Sequence, residues 1–191
     1  MSDPFAWRLG AAGLTHPPCF TPGTLIATPD GARMIDDLEP GDPITTLDGP
    51  QPIVWLGRLP VNALQARNPA FRPIRIRAGA LGDGLPWRDM LVSPQHRFVV
   101  SGWRADILFG SASVLVAAKH LVNDMTIRPV DVGALTYMHL LLPQHHIILA
   151  EGALTESLQQ AELSDRLAAQ SALPCLSARE ARLLSGAGGG T

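Results

Sequence analysis

Turn residues recur too often in this chain for long helices to dominate it. Its 191 residues include 18 glycines and 17 prolines. Each proline removes an amide proton that a helix interior needs, and each glycine is a ready turn position. The stretches between them are strand-length. Asp30-Gly31, between Leu25–Thr28 and Ala32–Ile35, is a two-residue hairpin signal. Pro40-Gly41 and Asp48-Gly49 mark further turns around the strand-like segments Pro43–Leu47 and Pro52–Leu56. Ile74–Arg77 alternates with period two, as a half-buried strand does. Met90–Val92, Arg97–Val100, Val114–Ala118, Ile127–Val130, Tyr137–Leu142 and His146–Ala150 follow as strands. The body is therefore expected to be all-β with irregular loops.

Three units are expected: a flexible N-terminal arm over 1–18, a β domain over 19–157 and a helical tail over 158–191. Asp3, Pro4 and Arg8 interrupt the arm, so it does not read as a secretory signal. In the tail, Leu158–Gln170 has helical composition, and Glu162 precedes Arg166 by one helical turn. Pro174 breaks that segment, and Ser177-Ala-Arg-Glu180 is a capping box that opens a last helix through Leu184. Gly186–Thr191 reads as a disordered end. The tail is expected to lay one apolar face on the β body.

Composition narrows the function. At 46% apolar residues and formal net charge −2, the chain can bury a core but carries no electrostatic footprint for nucleic acid. Apolar runs such as Ala112–Ala118 are far short of a membrane span. Two cysteines, Cys19 and Cys175, rule out a disulfide scaffold. His139, His145 and His146 fit no standard metal-ligand spacing, and no cofactor is implied.

Cys19 is the residue with chemistry to offer. It stands where His16-Pro17-Pro18, stiffened by its prolines, meets the first strand. A thiol there can attack the carbonyl of the preceding residue through a five-membered ring, so proximity makes the attack unimolecular. The product is a thioester in place of the Pro18–Cys19 amide. Amide nitrogen leaves poorly, so the fold has to supply a proton donor near it and a donor for the oxyanion. His96, on the turn Ser93-Pro94-Gln95-His96, is the natural candidate, with the Ser93 hydroxyl three residues before it.

Cys19-Phe20-Thr21-Pro22-Gly23-Thr24, Leu38-Glu39-Pro40-Gly41-Asp42 and Ser93-Pro94-Gln95-His96-Arg97 together resemble the Hint domain shared by hedgehog autoprocessing domains and inteins. Arg77–Gly82, Tyr137–Leu140, His146–Gly152 and Thr155-Glu156-Ser157 resemble its bacterial intein-like subgroup. The resemblance implies an all-β, horseshoe-like fold with pseudo-twofold character. It also implies self-cleavage by an N-to-S acyl shift, acting in cis on the chain's own N-terminal segment, with water or a small nucleophile resolving the thioester. Cys19 matches the family nucleophile, and His96 matches the histidine that assists breakage of the amide. Ser93 stands where many members carry threonine, and His139 and His146 fall in the block that approaches the site. Splicing inteins end in His-Asn, with the asparagine cyclising. Glu156-Ser157 stands there instead, so cleavage without splicing is expected. The subgroup implies a bacterial protein, either cytoplasmic or exported without a cleaved signal peptide.

Each residue also has a plainer reading. Cys19 can be a small buried hydrophobe, His96 a core hydrogen-bonding residue, Ser93 a turn serine and His139 an ordinary sheet residue. Pro18 is a hindered acyl group, which leaves open a second function: a catalytically degenerate Hint-fold module for export or protein interaction. Cys175, Trp55, Trp87 and Trp103 read as packing residues or loop anchors, and Asp42 as a turn residue.

Overall fold

The computed structural model describes residues 18–158 and 173–185. Strands β1 (Leu25–Thr28) and β2 (Gly31–Met34) form the expected hairpin, with Thr28 opposite Gly31. Pro29-Asp30 makes its turn, and Gly31 begins β2 at φ +113°. Next come β3 (Pro43–Ile44), β4 (Gln51–Pro52), β5 (Trp55–Val61), β6 (Ile74–Ile76), β7 (Met90–Val92) and β8 (Arg97–Ser101). Helix α1 (Trp103–Phe109) precedes β9 (Ser113–Ala117), β10 (Ile127–Pro129), β11 (Leu135–Leu141), β12 (Ile147–Ala150) and β13 (Ala153–Glu156). Helix α2 (Ala178–Ser185) closes the described chain. The expected all-β architecture with a short C-terminal helix is what forms.

Six strands make the largest sheet, in the order β2-β1-β12-β13-β8-β9. A second sheet runs β10-β6-β7, while β11 pairs with β5 and β3 with β4. Strands β11 and β12 are consecutive in sequence but lie in different sheets, because the Pro143–His145 connection carries the chain across rather than folding it back. Phe20, Ile26, Ile44, Ile76, Phe98, Met138 and Ile148 are all under 2% exposed and join one core. Burying an apolar side chain of that size contributes about 1.5–3 kcal/mol. This core holds the sheets together.

Phe20 positions the site. It bridges Val92 at the end of β7 and Met138 on β11. Its amide donates to the Met138 carbonyl at 2.9 Å, and the Met138 amide donates back to the Phe20 carbonyl at the same distance. Residues 19–21 are thus laced between β7 and β11.

Helix α1 was not expected from the sequence. Gly110 ends it in the left-handed region at φ +64°, with its N–H on the Asp106 carbonyl at 2.9 Å. Seven residues give too few turns for a helical period to stand out. Strand β13 was also missed. Glu151 and Gly152, at φ +48° and +77°, turn β12 back into it, as a two-residue hairpin turn with both central residues at positive φ requires.

The capping box of the tail forms as read. Ser177 N–H donates to Glu180 Oε2 at 2.8 Å, and Glu180 N–H returns to Ser177 Oγ at 3.4 Å. Leu176, Ala181 and Leu184 pack on Ala105, Val114 and Val116, so α2 lays an apolar face on the body. Cys175 does not pack there. It is exposed and its residue bridges Leu115 of β9, because the chain passes it as an edge strand, with Leu115 N–H on the Pro174 carbonyl. Both cysteines are thiols. Leu158 extends the β body, its amide donating to the Leu140 carbonyl at 2.8 Å. The remainder of the expected Leu158–Gln170 helix, with Glu162 and Arg166, lies outside the described residues, as do 1–17 and the Gly186–Thr191 end.

Candidate active site

Cys19 is 2% exposed and held on both sides of its peptide unit by Ser93. Its N–H donates to Ser93 Oγ at 3.0 Å, and its carbonyl accepts the Ser93 N–H at 3.0 Å. Ser93 follows directly on β7, so the lacing of Phe20 against Val92 delivers it there. From the other side β11 brings His139, fully buried.

The His139 ring lies against both Pro18 and Cys19. Its Nδ1 lies 3.3 Å from the Pro18 carbonyl oxygen, and its Nε2 lies 3.7 Å from Cys19 Sγ. A carbonyl oxygen can only accept, so Nδ1 carries the proton in the neutral ring. Nε2 then presents its lone pair to the thiol. Burial depresses the His139 pKa to about 4, against the opposing pull of the Pro18 hydrogen bond. The ring is therefore neutral near pH 7, the state in which it can take a proton.

His139 owes its position to β5. It pairs with Gly57 across the β11–β5 ladder, and Trp55 stacks on its ring at 6.3 Å with planes 17° apart. The Trp55 ring lies over Gly57: a Cβ there would sit 1.9 Å from Trp55 Cη2. The absence of a side chain at Gly57 is what lets the indole fold down beside the imidazole.

His96 is also fully buried, between Phe20 at 4.4 Å and Phe98 at 5.2 Å, both in edge-on contact. Its Nε2 meets Thr155 Oγ1 at 2.6 Å, and that hydroxyl donates to the Arg97 carbonyl at 2.7 Å. The hydroxyl has one proton, already committed to Arg97, so it accepts from His96. His96 is thus the Nε2–H tautomer. Its Nδ1 is a bare, buried lone pair with no hydrogen-bond partner among the described residues. Burial, reinforced by the Arg97 charge and by His139, lowers its pKa to about 3. His96 joins Ser93 through its backbone, N–H to carbonyl at 3.1 Å.

His146 is held elsewhere. Its Nδ1 meets Asp48 Oδ2 at 3.0 Å, and its N–H donates to Ser157 Oγ at 3.0 Å. Neighbouring Glu156, buried, accepts Arg97 Nη1 on both carboxylate oxygens at 3.0 Å and meets His145 Nε2 at 3.1 Å. The Glu156-Ser157 pair is therefore tied into the scaffold by charge and by backbone. Among the described residues, no group of three or more His, Cys, Asp or Glu side chains gathers to hold a metal ion. No helix among them is long and apolar enough to cross a membrane.

A model of the Hint domain matches residues 18–162. The chain belongs to the Hint domain family. Among solved structures, this Hint domain is similar to a bacterial intein-like domain from Clostridium thermocellum, with 11% identity, 72% of this chain and 96% of that chain covered, and TM-score 0.47. It is also similar to a DnaB intein from Synechocystis sp. PCC 6803, with 12% identity, 73% and 98% covered, and TM-score 0.47. No curated protein matches the chain.

Of the residues singled out in the sequence, Cys19, Ser93 and His139 make direct contacts with one another or with Pro18. His96 packs against the residue next to Cys19. Three features of this Hint domain were not singled out. Thr155 was legible only as part of a motif, and a threonine on a strand carries no sign of the histidine it will meet. Trp55 read as a packing residue, and Gly57 carried no signal, because its value lies in a ring folding over it.

Proposed function

We propose that this Hint domain cleaves its own chain between Pro18 and Cys19, as an autocatalytic cysteine endopeptidase acting in cis. The carrying observation is the single imidazole of His139, which spans the Cys19 thiol and the Pro18 carbonyl. The thiol proton passes to His139 Nε2 as Sγ bonds to the Pro18 carbon. The charge then developing on the Pro18 oxygen faces His139 Nδ1–H, now part of an imidazolium. The proton that the thiol gave to His139 ends on Cys19 nitrogen as the C–N bond breaks, which leaves a thioester, an amine and a neutral His139. Water or a small nucleophile next attacks the thioester and releases the segment ending at Pro18 from Cys19.

Ser93 anchors the departing nitrogen through its Oγ. His96 cannot donate as the Nε2–H tautomer with a bare Nδ1. Its part is to relay at Nδ1 the proton that His139 took from the thiol and to pass it to nitrogen. Ser157, whose Oγ accepts the His146 N–H, stands where splicing would need an asparagine, which supports cleavage without ligation.

Intact mass of the purified full-length chain, incubated with and without dithiothreitol, tests this reading. Loss of residues 1–18, faster with thiol and absent in Cys19→Ala, is expected, with His139→Ala slowed by at least tenfold. Cleavage at the same bond in Cys19→Ala would overturn the mechanism. An unchanged mass in every sample, including Pro18→Gly, would favour the second reading of a silent Hint-fold module.

A further inference from the structure

Away from Cys19, strands β6 and β10 carry two arginines directly opposite each other. Arg75 pairs with Arg128 in the antiparallel ladder. Like charges in that relation repel, and a sheet has no structural reason to keep them there. The pair opens into a cleft of about 520 Å³ that Arg72 also lines. Among the described residues that line the cleft, Asp131 is the one acid. Asp131 pairs with Arg72, its Oδ2 accepting from Nη2 at 3.1 Å while Oδ1 lies 3.0 Å from Nε without hydrogen-bond geometry. Arg75 and Arg128 are left with about two positive charges facing the cleft. This stands on a chain whose formal net charge is −2, so the patch is a local feature and not an overall bias.

Arg75 adds the second observation. Its Nε is buried and has no hydrogen-bond partner among the described residues. A buried, charged N–H without an acceptor costs more than a neutral one. An arginine at the sheet surface could relieve that by swinging into water. Arg75 instead lies half-buried between Leu91 of β7 and Arg128, its neighbours in register across β6.

The geometry points to a binding site for a compact, doubly charged oxyanion in this cleft, held by the forks of Arg75 and Arg128. Guanidinium groups recognise such ligands through paired N–H donors, with phosphoryl and carboxylate groups as the matching acceptors. One bound dianion, met by the outer guanidinium N–H groups, neutralises the cross-strand repulsion. Arg72, already paired with Asp131, forms the wall of the site. Val132 lines the cleft and also packs against the Cys19–Tyr137 cluster. The site nevertheless stands independently of any acyl shift.

The test uses the full-length chain with inorganic phosphate as the probe. Arginine Nε–H resonances are followed while sodium phosphate is titrated against sodium chloride at matched pH and ionic strength. The Arg75 and Arg128 signals should move along a saturable curve with phosphate and not with chloride. Arg128→Gln, at an exposed position, should weaken that binding at least tenfold and raise the melting temperature measured without phosphate. Arg75→Gln should weaken binding to the same degree. A parallel titration with succinate separates the sources, since tighter phosphate binding assigns a phosphoryl group and tighter succinate binding a carboxylate pair. Equal, unsaturable shifts with all three salts would overturn the site. So would phosphate binding undiminished in Arg128→Gln.

Discussion

The two fully buried histidines, His96 and His139, have opposite proton arrangements, each fixed by one neighbour. Pro18 offers His139 a carbonyl, which draws the proton to Nδ1 and turns a lone pair toward sulfur. Thr155 offers His96 a hydroxyl already spent on Arg97, which draws the proton to Nε2 and leaves Nδ1 bare. Thr155 is therefore a positioning residue for His96. In nitrogen-15 spectra of the wild type, His96 Nδ1 is expected at the far-downfield shift of an unprotonated imidazole nitrogen. Thr155→Val leaves a buried Nε2–H without an acceptor and should cost about 1–3 kcal/mol of stability. It should also populate the other tautomer. Thr155→Ser, which keeps the hydroxyl, should restore both. An unchanged spectrum in Thr155→Val would show that something else sets the tautomer.

Strands convert these local choices into a site. Phe20 lacing β7 to β11 brings Ser93 and His139 to the two sides of Cys19, although they lie 74 and 120 residues away in sequence. Strand β5 supplies the backing, through Trp55 folded over Gly57 onto His139. A methyl group at Gly57 has to displace that indole. Gly57→Ala is expected to lower the urea midpoint, since overpacking a buried position costs about 1–3 kcal/mol. It should also slow release of residues 1–18 by at least tenfold while the Cys19 thiol remains intact. Wild-type cleavage in a destabilised Gly57→Ala would show that the stacking serves packing alone. The first hairpin and the capping box were readable because their signals are contiguous. Asp30-Gly31 signals that hairpin, although its turn falls one residue earlier on Pro29-Asp30, and Ser177 and Glu180 close on each other within one helical turn. Helix α1 and strand β13 were not readable. Seven residues hold too little period, and β13 is specified by the strands on either side of it.

Across the whole molecule, burying two neutral histidines makes stability depend on pH. His96 and His139 have pKa values of about 3 and 4 in the fold, against about 6.5 in an unfolded chain. Below pH 6.5 the unfolded chain binds protons that the folded one refuses. Their contribution is therefore complete above that pH and falls as the pH drops toward the folded values. The loss approaches about 1.4 kcal/mol per pH unit for each histidine. The urea midpoint should fall steeply between pH 6.5 and 4, and a His139→Gln variant should show a shallower fall. An identical slope in the variant would mean that His139 is not buried neutral. What the sequence alone determined were the properties carried by adjacent residues. Frequent prolines and glycines exclude long helices, alternation marks the strands, and Cys19 after two prolines, with a family resemblance, marks the candidate for the chemistry. The tertiary structure alone decided which histidine meets the thiol and which is turned to Thr155. It also decided that Gly57 matters and that Arg75 faces Arg128. Those are contacts between residues far apart in the chain. Their geometry is set by sheet register and by the packing of one buried core, and no local pattern records it.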